Sequence, residues 1–235
     1  MSEPRTAIVT GAASGIGRAT TERLLRDGWQ VAGIDLNADM PAGVRAIIGD
    51  AADSTVIEAA LDTCAGRLSG LVCAAGLAPN ANWDDEAAWH ELLRIDLTGP
   101  FQAVRVCLPA LAAAHGSVVF VGSIVGPVEG SSRSPAYAAS KSGLEGLARS
   151  LALVGAPSGV RVNVVEPGAI DTPLDPPRFP VNDRPDVPLG RMGTADEVAA
   201  AICFLLSDDN SYVTGASLRV DGGRSIAPPA APTRR

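Results

Sequence analysis

The chain has 235 residues, 46% hydrophobic and 19% charged, which is enough apolar material for one sizeable core and rules out wholesale disorder. Nineteen lysines and arginines against 26 aspartates and glutamates give a net charge of −7, which argues against nucleic acid or an anionic membrane as the main partner. Four cysteines, at 64, 73, 107 and 203, form no Cys-x-x-Cys pair, so no metal or disulfide framework is expected, and a reducing, cytoplasmic setting is.

The chain enters an apolar strand pattern at 6–10 without the features of a signal peptide, and no apolar run approaches the length of a membrane span. Thr10-Gly-Ala-Ala-Ser-Gly-Ile-Gly17 follows that strand and opens a helix over 15–27. Glycines there permit a tight turn and close approach of a pyrophosphate to backbone amides at a helix N-terminus. The second strand, 30–35, ends in Asp35, where a carboxylate accepts from ribose hydroxyls and repels a 2′-phosphate. A third strand, 44–49, precedes Asp50, placed to meet an adenine edge or to cap the helix 54–65. A fourth strand, 70–74, runs into Cys73-Ala74-Ala75-Gly76, and a long helix over 84–114 carries Asp96.

The fifth strand, 117–122, delivers Ser123 at its C-terminal end, where α/β sheets bind their ligands. On the next helix, 135–153, Tyr137 and Lys141 share one face. A phenol, with an ordinary pKa of about 10, is a poor base at neutral pH, and a cation held close favours its phenolate. Lys141 is the only lysine in the chain. A sixth strand, 160–165, leads to Pro167-Gly168 and then a stretch, 172–193, whose six prolines exclude a regular helix and suggest a functional loop. A capping-box pattern starts the helix 195–206, the strand 217–220 follows, and the Pro/Ala-rich tail 225–235 is expected to be flexible. Alternating strands and helices without a linker predict one α/β domain over 1–224: a Rossmann fold with a doubly wound, seven-stranded parallel sheet.

In this order the motifs resemble the short-chain dehydrogenase/reductase family over residues 5–224. The resemblance implies that Gly11, Ser14, Gly15, Ile16 and Gly17, with Asp35, Leu36, Asp50, Ala51, Ala74, Ala75 and Gly76, bind NAD. Pro167, Gly168, Ile170 and Thr172 would hold its nicotinamide end, and Lys141 and Tyr137 would touch it too. Ser123, Tyr137 and Lys141 would be catalytic, together with Asp96, which stands where the family has an asparagine that holds a water leading from the lysine to solvent. The family's Asn-Asn-Ala-Gly is Cys73-Ala74-Ala75-Gly76 here, which removes two side chains that brace the sheet.

Leu77, Ile124, Val125, Val128, Leu174, Phe179 and Val187 are expected around Ser123 and Tyr137, which suggests a hydrophobic substrate, cyclic ones included. The reading is an NAD(H)-dependent interconversion of a secondary alcohol and a ketone by a homotetramer or homodimer. Its alternatives are a 3-oxoacyl-reductase-like carbonyl reductase and a non-catalytic NAD-binding sensor on the same fold. An enoyl reductase fits less well, because its related motif spaces tyrosine and lysine more widely.

Overall fold

The structure, a computed structural model, describes residues 4–78, 83–174, 184 and 186–227. In β1 (Thr6–Thr10), Ala7 and Val9 join one buried cluster and Ile8 the other. Leu71 and Val72 divide in the same way in β4 (Gly70–Cys73), as do Val118, Val119 and Phe120 in β5 (Ser117–Val121). Side chains alternate across a strand, so a strand apolar at every position needs cover on both faces. Helices α1 (Gly15–Arg26) and α6 (Ala195–Leu206) supply it on one side. On the other lie α2 (Ser54–Asp62), α4 (Gly99–Ala114) and α5 (Pro135–Gly155).

The remaining strands of the main sheet are β2 (Gln30–Asp35), β3 (Arg45–Ile48), β6 (Arg161–Pro167) and β9 (Ser217–Val220). Their order, β3-β2-β1-β4-β5-β6-β9, is parallel throughout, as expected of the doubly wound fold. The winding reverses between β1 and β4, and in such sheets ligands bind outside the strand C-termini at that point.

Three details differ from the sequence reading. The helix foreseen at 84–114 is two helices, α3 (Glu86–Leu93) and α4, joined by a π-turn at Arg94–Thr98 that carries Asp96 inward. The run Glu86–Ala114 is long and apolar enough to cross a bilayer by length and composition, but Val104, Cys107 and Leu111 are spent in the core. A two-stranded ladder, β7 (Ile170–Asp171) with β8 (Gly193–Thr194), had no signal in residues so short, and it closes the base of the proline-rich loop. Positions 175–183 and 185 of that loop, Phe179 among them, lie outside the described residues. Of the tail, Arg224–Ile226 form a 3-10 turn, and 228–235 lie outside the described residues.

Candidate active site

The glycine turn is built for close approach. Gly11 holds φ +70°, and a Cβ there would come within 2.9 Å of the Ala75 nitrogen; one on Gly17 would drive into the Gly11 carbonyl. The turn thus lies directly against the Ala74–Ala75 backbone, and the Thr10 hydroxyl accepts from both of those amides, at 3.1 and 3.0 Å. Those bonds tie the ends of β1 and β4 together where the family's asparagines are missing. Helices α2, α3, α5 and α6 each have a side-chain N-cap, from Asp53, Asp85, Ser134 and Thr194, whereas Ser14 at the start of α1 makes no cap bond. The first amides of α1 therefore have no side-chain cap, the arrangement in which a helix N-terminus can take a phosphate.

Asp35 stands beside this turn. Its Oδ2 accepts from the Ala13 amide at 3.0 Å and its Oδ1 from Asn37 at 2.9 Å, which fixes the carboxylate at the end of β2. Asp50 is held too: its oxygens accept from the Ala52 amide and the Arg94 guanidinium, both at 2.8 Å. Arg18, in the first turn of α1, reaches the Ala13 and Asp39 carbonyls and pairs with Glu22.

One cleft of about 580 Å³ runs from this turn across the strand ends to α5. Gly11, Ser14, Gly15, Ile16, Gly17, Asp35, Leu36, Asp50 and Ala51 line one end. Ala74, Ala75, Gly76, Leu77, Pro167, Gly168, Ile170 and Thr172 line the middle, and Ser123, Val125, Tyr137, Lys141 and Leu174 the other end. Ser123, Tyr137 and Lys141 are only 8%, 9% and 6% exposed, so all three are nearly enclosed. The Ser123 hydroxyl accepts from the Val125 amide at 3.0 Å, leaving its own proton to donate. Lys141 Nζ lies 5.4 Å from the centre of the Tyr137 ring and donates to the Val121 carbonyl at 3.3 Å.

Asp96 is absent from the cleft wall. Its Oδ1 accepts from the Leu77 amide at 2.9 Å, and its Oδ2 pairs with Lys141 Nζ at 3.2 Å. Burial works against the ammonium, but the electrostatic pull of Asp96, with a smaller one from Tyr137, more than offsets it, so the Lys141 pKa is raised. Asp96 thus touches Lys141 directly, whereas the resemblance implied an asparagine that holds a water at this place.

The apolar wall expected around Ser123 is only partly present. Leu77, Ile124, Val125 and Leu174 line the cleft; Val128 does not, and Val187 is buried against Gly222. Residues that the sequence reading missed include Ile95, Met192, Ser131 and three arginines, Arg133, Arg184 and Arg224. Arg133 had a signal in its place just before the helix of Tyr137; the other two arginines reach the cleft from distant loops.

Beneath Pro167, Glu166 is fully buried, its Oε2 paired with Arg219 at 3.3 Å and its Oε1 without a donor among the described residues. Burial, and then the neighbouring Glu145 carboxyl, push its pKa up to about 7. The folded protein therefore holds a proton that the unfolded chain releases near pH 4.5, and stability falls as pH rises through that interval. Glu166→Gln, which imitates the protonated form, should melt roughly 5 °C above wild type at pH 8.5 and level with it below pH 5. Parallel melting curves across pH check this, and equal gains at both ends would refute the proton.

A family model described as enoyl-(acyl carrier protein) reductase matches residues 11–225. The chain is 42% identical to cis-4-hydroxycyclohexanecarboxylate dehydrogenase of Sinomonas cyclohexanicum, over 93% of this chain and 96% of that protein. It is 34% identical to the 3-oxoacyl-(acyl-carrier-protein) reductase FabG of Thermotoga maritima, over 95% and 99%. The ligand-free structure of Thermoplasma acidophilum aldohexose dehydrogenase superposes with a TM-score of 0.87 at 30% identity, covering 99% of this chain and 98% of that one.

Proposed function

Since the chain belongs to the short-chain dehydrogenase/reductase family of oxidoreductases, we propose that it interconverts a cyclic secondary alcohol and its ketone, with NAD(H) as hydride carrier. The observation that carries this reading is that a single cleft takes in both the glycine turn with Asp35 and the trio Ser123, Tyr137 and Lys141. NAD, when bound, supplies the acceptor for the hydride that leaves the carbinol carbon. The uncapped start of α1 and the close backbone at Gly11 and Gly17 suit its pyrophosphate, and Asp35 its ribose hydroxyls.

Ser123 donates to the substrate oxygen. Tyr137 takes the hydroxyl proton during oxidation and returns it during reduction. Lys141 contributes positive charge beside the phenol and an N–H for the nicotinamide ribose, while Asp96 keeps that ammonium in place. The relative that acts on a hydroxycyclohexanecarboxylate supports a ring substrate. The four-residue spacing of Tyr137 and Lys141 supports carbonyl over enoyl chemistry. An apolar groove between α4 and α5, with Leu97, Phe101 and Leu147 over Gly143 and Gly146, supports the expected homo-oligomer.

The test is NADH formation from NAD with a panel of cyclic secondary alcohols. Reduction of a 3-oxoacyl thioester with NADPH is the competing assay, because the FabG relative favours that second reading. Activity confined to the thioester would overturn the proposal. Cofactor choice gives a sharper prediction. Asp35→Ser should lower kcat/KM for NAD by about 10- to 100-fold, the loss of one or two hydrogen bonds to a charged group. It should raise kcat/KM for NADP, since the repulsion of the 2′-phosphate goes too. Equal losses for both cofactors would reduce Asp35 to a brace for the turn.

A further inference from the structure

The two ends of the cleft differ in charge. Asp35 and Asp50 sit at one end, and Arg133, Arg184 and Arg224 line the other. Two of these arginines are already matched. Arg184 makes a bidentate pair with Asp186, at 2.9 and 2.8 Å, and Arg224 one with Glu129, at 3.0 Å on both arms, with Asp186 also within 3.3 Å. These pairs lock the 124–129 turn, the end of the proline-rich loop and the C-terminal 3-10 turn to one another. Arg133 is different: it is exposed and lines the cleft, and it has no ion-pair or hydrogen-bond partner among the described residues. Beside it, Ser131 accepts the Ser134 amide at 3.0 Å, which leaves its own hydroxyl proton to give away. In a chain of net charge −7, the substrate end of the cleft thus keeps, among the described residues, one unmatched cation with a hydroxyl donor next to it.

We propose that Arg133 is a specificity residue that reads a carboxylate on the ring of the substrate, with Ser131 as its second donor, so that the protein takes cyclic hydroxy acids in preference to neutral cyclic alcohols. The proposal rests on the dehydrogenase reading above. A guanidinium offers two parallel N–H groups in the geometry of a carboxylate. Arg133 stands just before the N-cap of the helix that carries Tyr137 and lines the same cleft as Ser123 and Tyr137, so one ring substrate can meet both the arginine and the catalytic pair. An apolar wall from Leu77, Ile124 and Val125 covers the ring between the two polar ends. A neutral ring would leave Arg133 without a counter-charge, and the discrimination comes from that difference.

Two measurements decide it. Calorimetry with cyclohexanecarboxylate and with cyclohexanecarboxamide, each titrated into the protein saturated with NADH, needs no turnover. Wild type should bind the carboxylate at least ten times more tightly than the amide, Arg133→Gln should bind the two alike, and Arg133→Lys should keep part of the preference. The second measurement is the ratio of kcat/KM for cis-4-hydroxycyclohexanecarboxylate to that for 4-methylcyclohexanol. It should be about 100 in wild type and fall toward one in Arg133→Gln, with the loss appearing in KM for the acid. Equal affinity for carboxylate and amide in wild type, or a preference that survives in Arg133→Gln, overturns the proposal. Comparable oxidation of both alcohols by both proteins also overturns it and leaves the dehydrogenase standing. If neither alcohol is oxidised, the dehydrogenase reading fails, and the calorimetric comparison still decides what Arg133 binds.

Discussion

Tyr137→Phe should lower kcat for alcohol oxidation by about 10³-fold, the middle of the range for loss of a positioned general base, while leaving the fold intact. The ring is buried against Leu92, Ala136 and Val125, and phenylalanine fills that space without its hydroxyl. The main-chain bonds around it are also untouched: the Tyr137 amide still donates to the Ser134 hydroxyl, and its carbonyl still accepts from Ser140. The melting temperature should therefore stay within a few degrees of wild type, and NADH should still bind. Initial rates of NADH formation, read beside a melting curve and a binding isotherm, separate the chemical loss from a structural one. A variant that keeps a tenth of wild-type turnover would remove Tyr137 from the proton-transfer step and with it the mechanism proposed here. Loss of NADH binding alongside turnover would mean that the ring shapes the cofactor site.

The sheet and the residues that bring the glycine turn and the Ser123, Tyr137 and Lys141 trio to one cleft were legible because they depend on local signals. Strands apolar on both faces announce a covered parallel sheet, and Gly11, Gly17, Ser123, Tyr137 and Lys141 fall at strand ends or one helix face, where spacing alone brings them to one side. The π-turn at Arg94–Thr98 was not legible, since nothing in Arg-Ile-Asp-Leu-Thr distinguishes it from continuous helix. Its cause is tertiary: it swings Asp96 under Leu77 and against Lys141, and π-turns gather at sites of that kind. The substrate end resisted for a related reason. Val128 and Val187 have the composition of a pocket wall, but the turn at Gly126 and the packing of Val187 on Gly222 turn them elsewhere. Arg224 reaches the cleft through ion pairs with Asp186 and Glu129, 38 and 95 residues before it, which no local pattern encodes.

Lys141→Met should cost about 3 kcal/mol of stability as well as most of the activity, because it strands a carboxylate that has no exposed side-chain surface. The side chains of Lys141 and Asp96 are 7% and 0% exposed, and removing one member of such a pair usually costs more than the pair contributes, since the remaining charge has neither water nor a partner. Asp96→Asn should cost less, about 2 kcal/mol, because an amide oxygen still accepts from the Leu77 amide and Lys141 keeps the Val121 carbonyl. The double variant should be more stable than Lys141→Met alone, with a coupling energy of about 2 kcal/mol, as expected for residues in direct contact. The pKa of Lys141 is raised in the folded state, so the stabilisation it brings is fully present below about pH 10.5 and is lost only as pH rises through the raised value. Urea titrations of the four proteins at pH 7 and at pH 9 should therefore give the same coupling. The same charge has an opposite effect on catalysis: a carboxylate beside the lysine offsets the cation that assists the phenolate. Asp96→Asn should accordingly move the acid limb of the oxidation rate to lower pH by about one unit, which pH–rate profiles of wild type and variant check. An unchanged profile with a normal coupling energy would confine Asp96 to holding Lys141 in place, and additive stabilities would show that the 3.2 Å pair carries no energy of its own.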